Sequence, residues 1–240
     1  KNLKVWDFQK IIKIKSILEN TKSLFIDCGS NFGAYSISIS ALCKNTKVMS
    51  FDASLKSIQR LKENIHLNKL EKIEAFNVGV GNVNSEVYFN DEDSDYKNTG
   101  SYRFGKSAHS RLVKVISLDH FFRNENLNFY KNIIIKLDIE GYEFHALLGM
   151  KNIIKSYKPI FFIEISRMLL KSDNFSEANF KKFILDNDLK FLTVKGKKVS
   201  LNTVFKKLRI LEKKRDTIGD FFLVDKNFFF DSNGLENQSN

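Results

Sequence analysis

Cysteine occurs only twice in the 240 residues, as Cys28 and Cys43. Two thiols cannot build a four-ligand zinc cluster and supply no disulfide framework, so the chain reads as reduced and cytoplasmic. Proline occurs once, so no proline-rich linker divides the chain. No apolar run approaches the roughly 18 residues of a membrane-spanning helix, and no signal-peptide pattern is present. The charged fraction of 28% beside 42% hydrophobic residues is a globular composition, which excludes a wholly disordered chain. With no internal repeat and no linker, the chain reads as one domain over 1–231, with an insertion at about 82–117 and a polar, disordered tail at 232–240.

Acidic residues are the scarcer sign: 28 against 39 basic, for a net charge of +11. All but seven of the basic residues are lysine. Such an excess attracts anions, whether nucleic acid, a phosphorylated glycan or an anionic membrane. The basic residues read as scattered along the chain, which disfavours nucleic acid as partner. A small molecule or glycan, anionic if the charge is functional, is the expected acceptor.

The order of elements is informative. Leu24–Asp27 is a short apolar run ending in an acid, followed by a glycine-containing turn and a helix-length apolar stretch, Tyr35–Leu42. Lys47–Asp52 is a second strand ending in an acid, Leu55–Leu67 has helical apolar spacing, and Ile73–Val80 reads as a third strand. This β-α-β-α-β order opens a doubly wound parallel sheet. Ser85–Phe89 and Arg111–Ile116 alternate as strands and flank a polar stretch, Asn90–Ser110, which reads as a hairpin-like insertion with a mobile loop on the acceptor side. The α/β pattern then resumes: strand Asn132–Ile139, helix Glu143–Ile154, strand Pro159–Ile165, helix Phe175–Asp186, strand Leu189–Val194, a Lys-rich helix at about 202–214, and Gly219–Asp225 as a final antiparallel edge strand.

Three groups carry the chemistry. The first is the turn Asp27-Cys28-Gly29-Ser30-Asn31-Phe32-Gly33. Its glycines let backbone approach a ligand, in the crevice of a doubly wound fold. The Gly-Lys-Ser/Thr of a nucleoside triphosphate loop is absent, and the spacing differs from the dinucleotide G-x-G-x-x-G, which counts against a nicotinamide oxidoreductase. S-adenosylmethionine has no phosphate to cradle, and Asp27 suits its cationic methionine end. The second is Asp52, placed to accept ribose hydroxyls. The third is Lys136-Leu137-Asp138-Ile139-Glu140-Gly141-Tyr142-Glu143. Acids at a buried strand end are costly unless they bind something. A strand running through Ile139 would point Asp138 and Glu140 to one side, and Glu143 would sit at the positive end of the next helix.

These two motifs, together with Leu148-Gly149 and Pro159 with Glu164, resemble the FkbM-type S-adenosylmethionine-dependent methyltransferases over about Leu24–Glu164. The resemblance implies a Rossmann-like methyltransferase fold: a mostly parallel seven-stranded sheet with an antiparallel last strand. It also implies O-methylation of a sugar, glycan or other small-molecule hydroxyl. By the same resemblance, Asp27, Gly29, Ser30, Asn31 and Gly33 line the methionine side of the cofactor and Asp52 its ribose. Gly79 and Val80 lie near the adenine, and Asp138, Glu140 and Glu164 face the transfer site. Asp138 is the first candidate for the base, with Glu140 orienting the acceptor. A divalent metal held by Asp138 and Glu140 would be an alternative activator. An RNA-modifying methyltransferase and a cofactor-binding subunit without turnover are the competing readings.

Overall fold

The computed structural model describes residues 7–90, 103–104, 110–166, 168–171, 175–212, 217–230 and 236–237. Helix α1 (Phe8–Leu18) precedes β1 (Ser23–Cys28), α2 (Ala34–Leu42), β2 (Thr46–Phe51), α3 (Leu55–Leu67) and β3 (Ile73–Phe76). Then come β4 (Gly79–Val80), β5 (Ser85–Asn90), β6 (Arg103–Phe104), β7 (Arg111–Ile116) and α4 (Leu118–Phe121). The second half holds β8 (Asn132–Leu137), α5 (Glu143–Leu148), α6 (Lys151–Tyr157), β9 (Ile160–Ser166), α7 (Glu177–Asp186), β10 (Leu189–Thr193) and β11 (Lys198–Val199). The chain closes with α8 (Leu201–Glu212), β12 (Thr217–Asp225), β13 (Phe229–Phe230) and β14 (Glu236–Asn237).

The central sheet has the order β11-β10-β12-β9-β8-β1-β2-β3. Strands β3, β2, β1, β8 and β9 are mutually parallel, and β12 is antiparallel to both β9 and β10. The expected mostly parallel α/β sheet is present, extended at one edge by the two-residue β11. Successive residues of each strand feed opposite faces. Ile26, Ile135, Leu137, Phe161, Ile163, Phe221 and Leu223 pack against Phe144, Phe180 and Phe205 of α5, α7 and α8. Phe25, Ile134, Phe162, Phe222 and Val224 pack against Ile11, Ile14, Ile17 and Leu18 of α1 and Ile39 of α2. Each such side chain stabilises the fold by about 1.5–3 kcal/mol of gross burial. Helix α1 supplies four residues to this core.

Three expectations are corrected. The strand expected at Ile73–Val80 is two strands: β3 stays in the central sheet, and Gly79–Val80 leaves it to pair with Val115–Ile116 of β7 in a second sheet, β4-β7-β5-β6. The helix expected at Glu143–Ile154 is broken into α5 and α6 at Gly149, where a Cβ would stand 2.0 Å from the Gly81 carbonyl oxygen. Finally, β12 is no edge strand, for it is inserted between β9 and β10. Its run Phe221-Phe222-Leu223-Val224 is buried throughout, as a strand covered on both faces must be. The strands at 85–90 and 111–116 pair antiparallel as expected of the insertion, while Tyr96, Gly100, Tyr102, Gly105 and His109 of its loop lie outside the described residues.

Candidate functional site

Parallel strands β1, β2, β8 and β9 end on one edge of the sheet, and the residues immediately after them converge there. Behind β1, the N–H groups of Gly29 and Ser30 both donate to the Phe51 carbonyl at 2.9 and 3.1 Å, tying the turn to the end of β2. Gly29 has φ +76°, and a Cβ on it would stand 1.8 Å from the Asp138 carbonyl oxygen. Only glycine allows this approach between the turn and the acid loop. Gly29→Ala is therefore expected to destabilise the protein by about 1–3 kcal/mol, or more if the loop must shift. A midpoint of denaturant unfolding equal to wild type would remove this account. Gly33, at φ +96°, caps α2 from beneath Leu61. Asn31 is also left-handed, at φ 50°, and its N–H donates to Asp52 Oδ2 at 2.8 Å.

Asp27 lies beneath this turn and is fully buried. Its Oδ2 accepts from Ser36 Oγ at 2.6 Å, and Ser36 Oγ is 2.8 Å from Ser50 Oγ. Its Oδ1 is 3.3 Å from Lys136 Nζ. The carboxylate supports the turn from below. Lys136 stands in β8, whose residues are all buried. One ammonium donates to the Gly29 carbonyl at 3.3 Å and pairs with both Asp27 and Asp138, the latter at 3.1 Å. Burial opposes that positive charge, but the two carboxylates outweigh it and push the Lys136 pKa up. A lysine inside an apolar strand needs such partners, and that was the sequence signal for this ion triad.

Asp52 follows β2 and is 9% exposed. Its Oδ1 accepts the Ser54 N–H at 2.8 Å, so each carboxylate oxygen holds one backbone donor and keeps a lone pair. Burial pushes its pKa up to about 6 against the pull of those two N–H groups. Asn77, not singled out from sequence, fixes the neighbouring backbone: its amide donates to the carbonyls of Asp52 and Ala53 at 3.0 and 3.1 Å. Gly79 and Val80 are buried in β4.

The strand expected to run through Ile139 ends at Leu137. Asp138 comes next, and a left-handed Glu140 (φ 54°) followed by Gly141 (φ 101°) folds the loop back. Glu143, at the start of α5, accepts the N–H groups of Ile139 and Gly141, both at 3.1 Å, and pins that loop. Burial pushes its pKa up to about 7. One carboxylate oxygen from each of Asp138, Glu140 and Glu164 (in β9) lies within 4.8 Å of the others. The juxtaposition expected from strand alternation is thus reached through a turn instead. Burial, then the charge of Asp138 and a hydrogen bond to it, push Glu164 up to about 9. Burial also opposes the charge on Asp138, but Lys136 and the Glu164 hydrogen bond outweigh it and hold Asp138 below the usual carboxylate range. The two opposite shifts favour a proton on Glu164 over one on Asp138. Asp220 of β12 sits directly across from Glu164 and is ion-paired with Lys10 of α1, which also reaches Asp7 at 2.9 Å. Among the histidines, His145 stacks on Tyr142 with ring centroids 4.2 Å apart, while His66 and His120 stand on other elements.

Residues 27–187 match the methyltransferase FkbM domain. The chain belongs to the FkbM methyltransferase family. The methyltransferase FkbM of Methylobacillus flagellatus has a similar fold, with a TM-score of 0.51 at 17% identity, over 84% of this chain and 44% of that one. The chain thus spans less than half the length of that relative. An rRNA methylase from Streptococcus thermophilus aligns over 90% of this chain and 92% of its own, with a TM-score of 0.45 at 13% identity. A protein from Streptococcus mutans solved in complex with S-adenosylhomocysteine aligns over 89% and 93%, with a TM-score of 0.48 at 13% identity. No curated protein matches the chain in sequence. The FkbM match contains the turn, Asp52, the acid loop and Glu164, while α1, β10, α8 and β12 flank it. No helix among the described residues is long and apolar enough to cross a membrane.

Proposed function

We propose that this FkbM methyltransferase moves the methyl group of S-adenosylmethionine to a hydroxyl of a sugar, glycan or other small polyhydroxylated acceptor. The observation that carries the reading is the convergence of Asp138, Glu140 and Glu164 beside the Gly29–Gly33 turn. Gly29, Ser30, Asn31 and Gly33 line the methionine end of the cofactor, with Asp27 positioning the turn from below. Asp52 takes the ribose hydroxyls on its remaining lone pairs, and Asn77 with Gly79 and Val80 borders the adenine.

The sulfonium is a good leaving group, so the protein's task is to hold the acceptor oxygen in line with methyl and sulfur. As the C–O bond forms and the S–C bond breaks, the hydroxyl proton passes to Asp138 and neutral S-adenosylhomocysteine leaves. Asp138 is ionised throughout the neutral range and alone is a weak base. The proton on Glu164 and the ammonium of Lys136 keep it in that state, ready to accept. Glu140 accepts a hydrogen bond from a second acceptor hydroxyl. Carboxylates around the transfer point suit an uncharged polyol there and repel an anionic reacting group. The same three carboxylates offer hard oxygen ligands to a divalent cation, which would polarise the hydroxyl when bound; the chelator experiment in the Discussion separates the two routes.

Calorimetry with S-adenosylmethionine tests the cofactor half. Hydrogen bonds to a charged acceptor are worth about 1.5–3 kcal/mol, so Asp52→Ala should weaken binding about tenfold or more. Wild-type affinity in a folded Asp52→Ala protein would remove the ribose assignment. Because the free protein holds Asp52 at about 6, cofactor affinity should fall as pH drops through 6, where the carboxylate takes up a proton and loses its acceptor charge. The cofactor, binding the ionised form, should lower that pKa by linkage.

A further inference from the structure

The residues from 189 to 210 include seven basic side chains and no acidic one: Lys190, Lys195, Lys197, Lys198, Lys206, Lys207 and Arg209. The positive charge that read as scattered has a local concentration, and it lies beyond the FkbM match, which ends at residue 187. Topology places its densest part. Strand β10 is antiparallel to β12, and β12 is antiparallel to β9, so β10 runs parallel to β8. The register forms one row across the sheet, Leu137–Ile163–Phe221–Thr193. Thr193 is thus level with the residue before Asp138, and the turn at Val194–Lys197 emerges on the catalytic edge. Three strand spacings of about 4.8 Å put it roughly 14 Å from the acid loop.

We propose that the β10–β11 hairpin is an anion-binding subsite for the acceptor, holding phosphate or carboxylate groups of a glycan chain whose uncharged hydroxyl end enters the carboxylate cluster. This rests on the proposed function and names the acceptor more closely. Lys195, Lys197 and Lys198 are exposed, and none pairs with a carboxylate among the described residues. The strain of like charge is visible nearby: burial and then the charge of Lys198 lower the pKa of Lys190. A cationic rim around an anionic centre sorts an acceptor by its two ends, attracting a polyanionic chain while turning its charged groups away from the transfer point. Single-stranded nucleic acid is the poorer fit. It is held by aromatic platforms as well as charge, and both aromatics of this stretch, Phe191 and Phe205, are buried. A bilayer is also the poorer fit, because the turn presents no exposed large apolar residue to enter it.

The test measures binding of a heparin-derived hexasaccharide, a uridine-rich RNA decamer and anionic phospholipid vesicles at low salt. Lys195→Gln/Lys197→Gln/Lys198→Gln is compared with a control that loses the same charge on α6 and α7, Lys151→Gln/Lys155→Gln/Lys181→Gln. The hexasaccharide should bind the wild type with strong salt dependence. The hairpin variant should bind it about tenfold more weakly, the control should match wild type, and both should bind S-adenosylmethionine normally. No hexasaccharide binding by the wild type, an equal loss in the control, or tighter binding of RNA or vesicles through the hairpin lysines would each overturn the proposal. A wild type that bound the hexasaccharide through the hairpin but not S-adenosylmethionine would instead count against the functional reading.

Discussion

Asp138→Asn is expected to slow methyl transfer by roughly 10²–10⁴-fold, the range for losing a general base, while leaving cofactor affinity near wild type. The substitution is nearly isosteric. It removes one negative charge from a triad in which a single ammonium serves two carboxylates, so Lys136 keeps Asp27 and the fold has little reason to fail. Glu140→Gln should show a smaller loss, partly as weaker acceptor binding. Turnover with and without EDTA divides the two routes. Activity lost to the chelator and restored by a divalent ion assigns the carboxylates to a metal; indifference to it assigns Asp138 as a direct base. Normal turnover of Asp138→Asn under both conditions would leave the cluster a structural feature of the helix start.

Lys136→Met should cost about 3–5 kcal/mol of stability, because it strands Asp27 as a buried carboxylate without its cation. In Asp27→Asn/Lys136→Met the stranded charge is gone, and most of that stability should return. The two effects are coupled through direct contact and should be far from additive. Equal destabilisation of the single and double variants in urea unfolding would show that Lys136 acts by packing alone. The sign of the pH dependence follows from the raised Lys136 pKa. Its contribution is fully present below the unfolded-state value of about 10.4 and is lost only as pH rises through the still higher folded value. The lysine's own titration should therefore add no pH dependence to stability across the neutral range.

What could be read in the sequence was local. The run Leu24–Asp27 announced a strand because its neighbours are apolar on both faces. Leu55–Leu67 announced a helix by its spacing; in the structure Ser54 caps it, the Ser57 N–H donating to its hydroxyl at 3.3 Å. The turn and the acid loop were legible as motifs, and so was the expectation that they meet. What escaped was decided between residues far apart in the chain. Gly149 breaks a helix because Gly81 approaches it, and neither position says so alone. Gly79–Val80 leaves the sheet because Val115–Ile116 offers it a partner. The interior position of β12 could have been suspected from four consecutive apolar residues, a pattern an edge strand does not need. Lys136 stands in a strand buried throughout, where an ammonium demands partners that its motif alone does not name. The reading of scattered charge failed for a different reason: a whole-chain total conceals a stretch in which every ionisable residue has one sign.

The ion pair between Lys10 and Asp220 bears on where this protein can be cut. Both residues lie outside the segment that defines the family, and they come from opposite ends of the chain. Trimming to that segment would remove α1 together with most of β1, uncovering Ile134 and Phe162 on the sheet face they share, and would take away β10, β11 and β12 beyond β9. The trimmed product would present a wet apolar face and unpaired β-edges, the features that drive chains to aggregate. The smallest soluble, catalytic fragment should therefore begin before Asp7 and extend past Phe230, whatever the limits of sequence similarity.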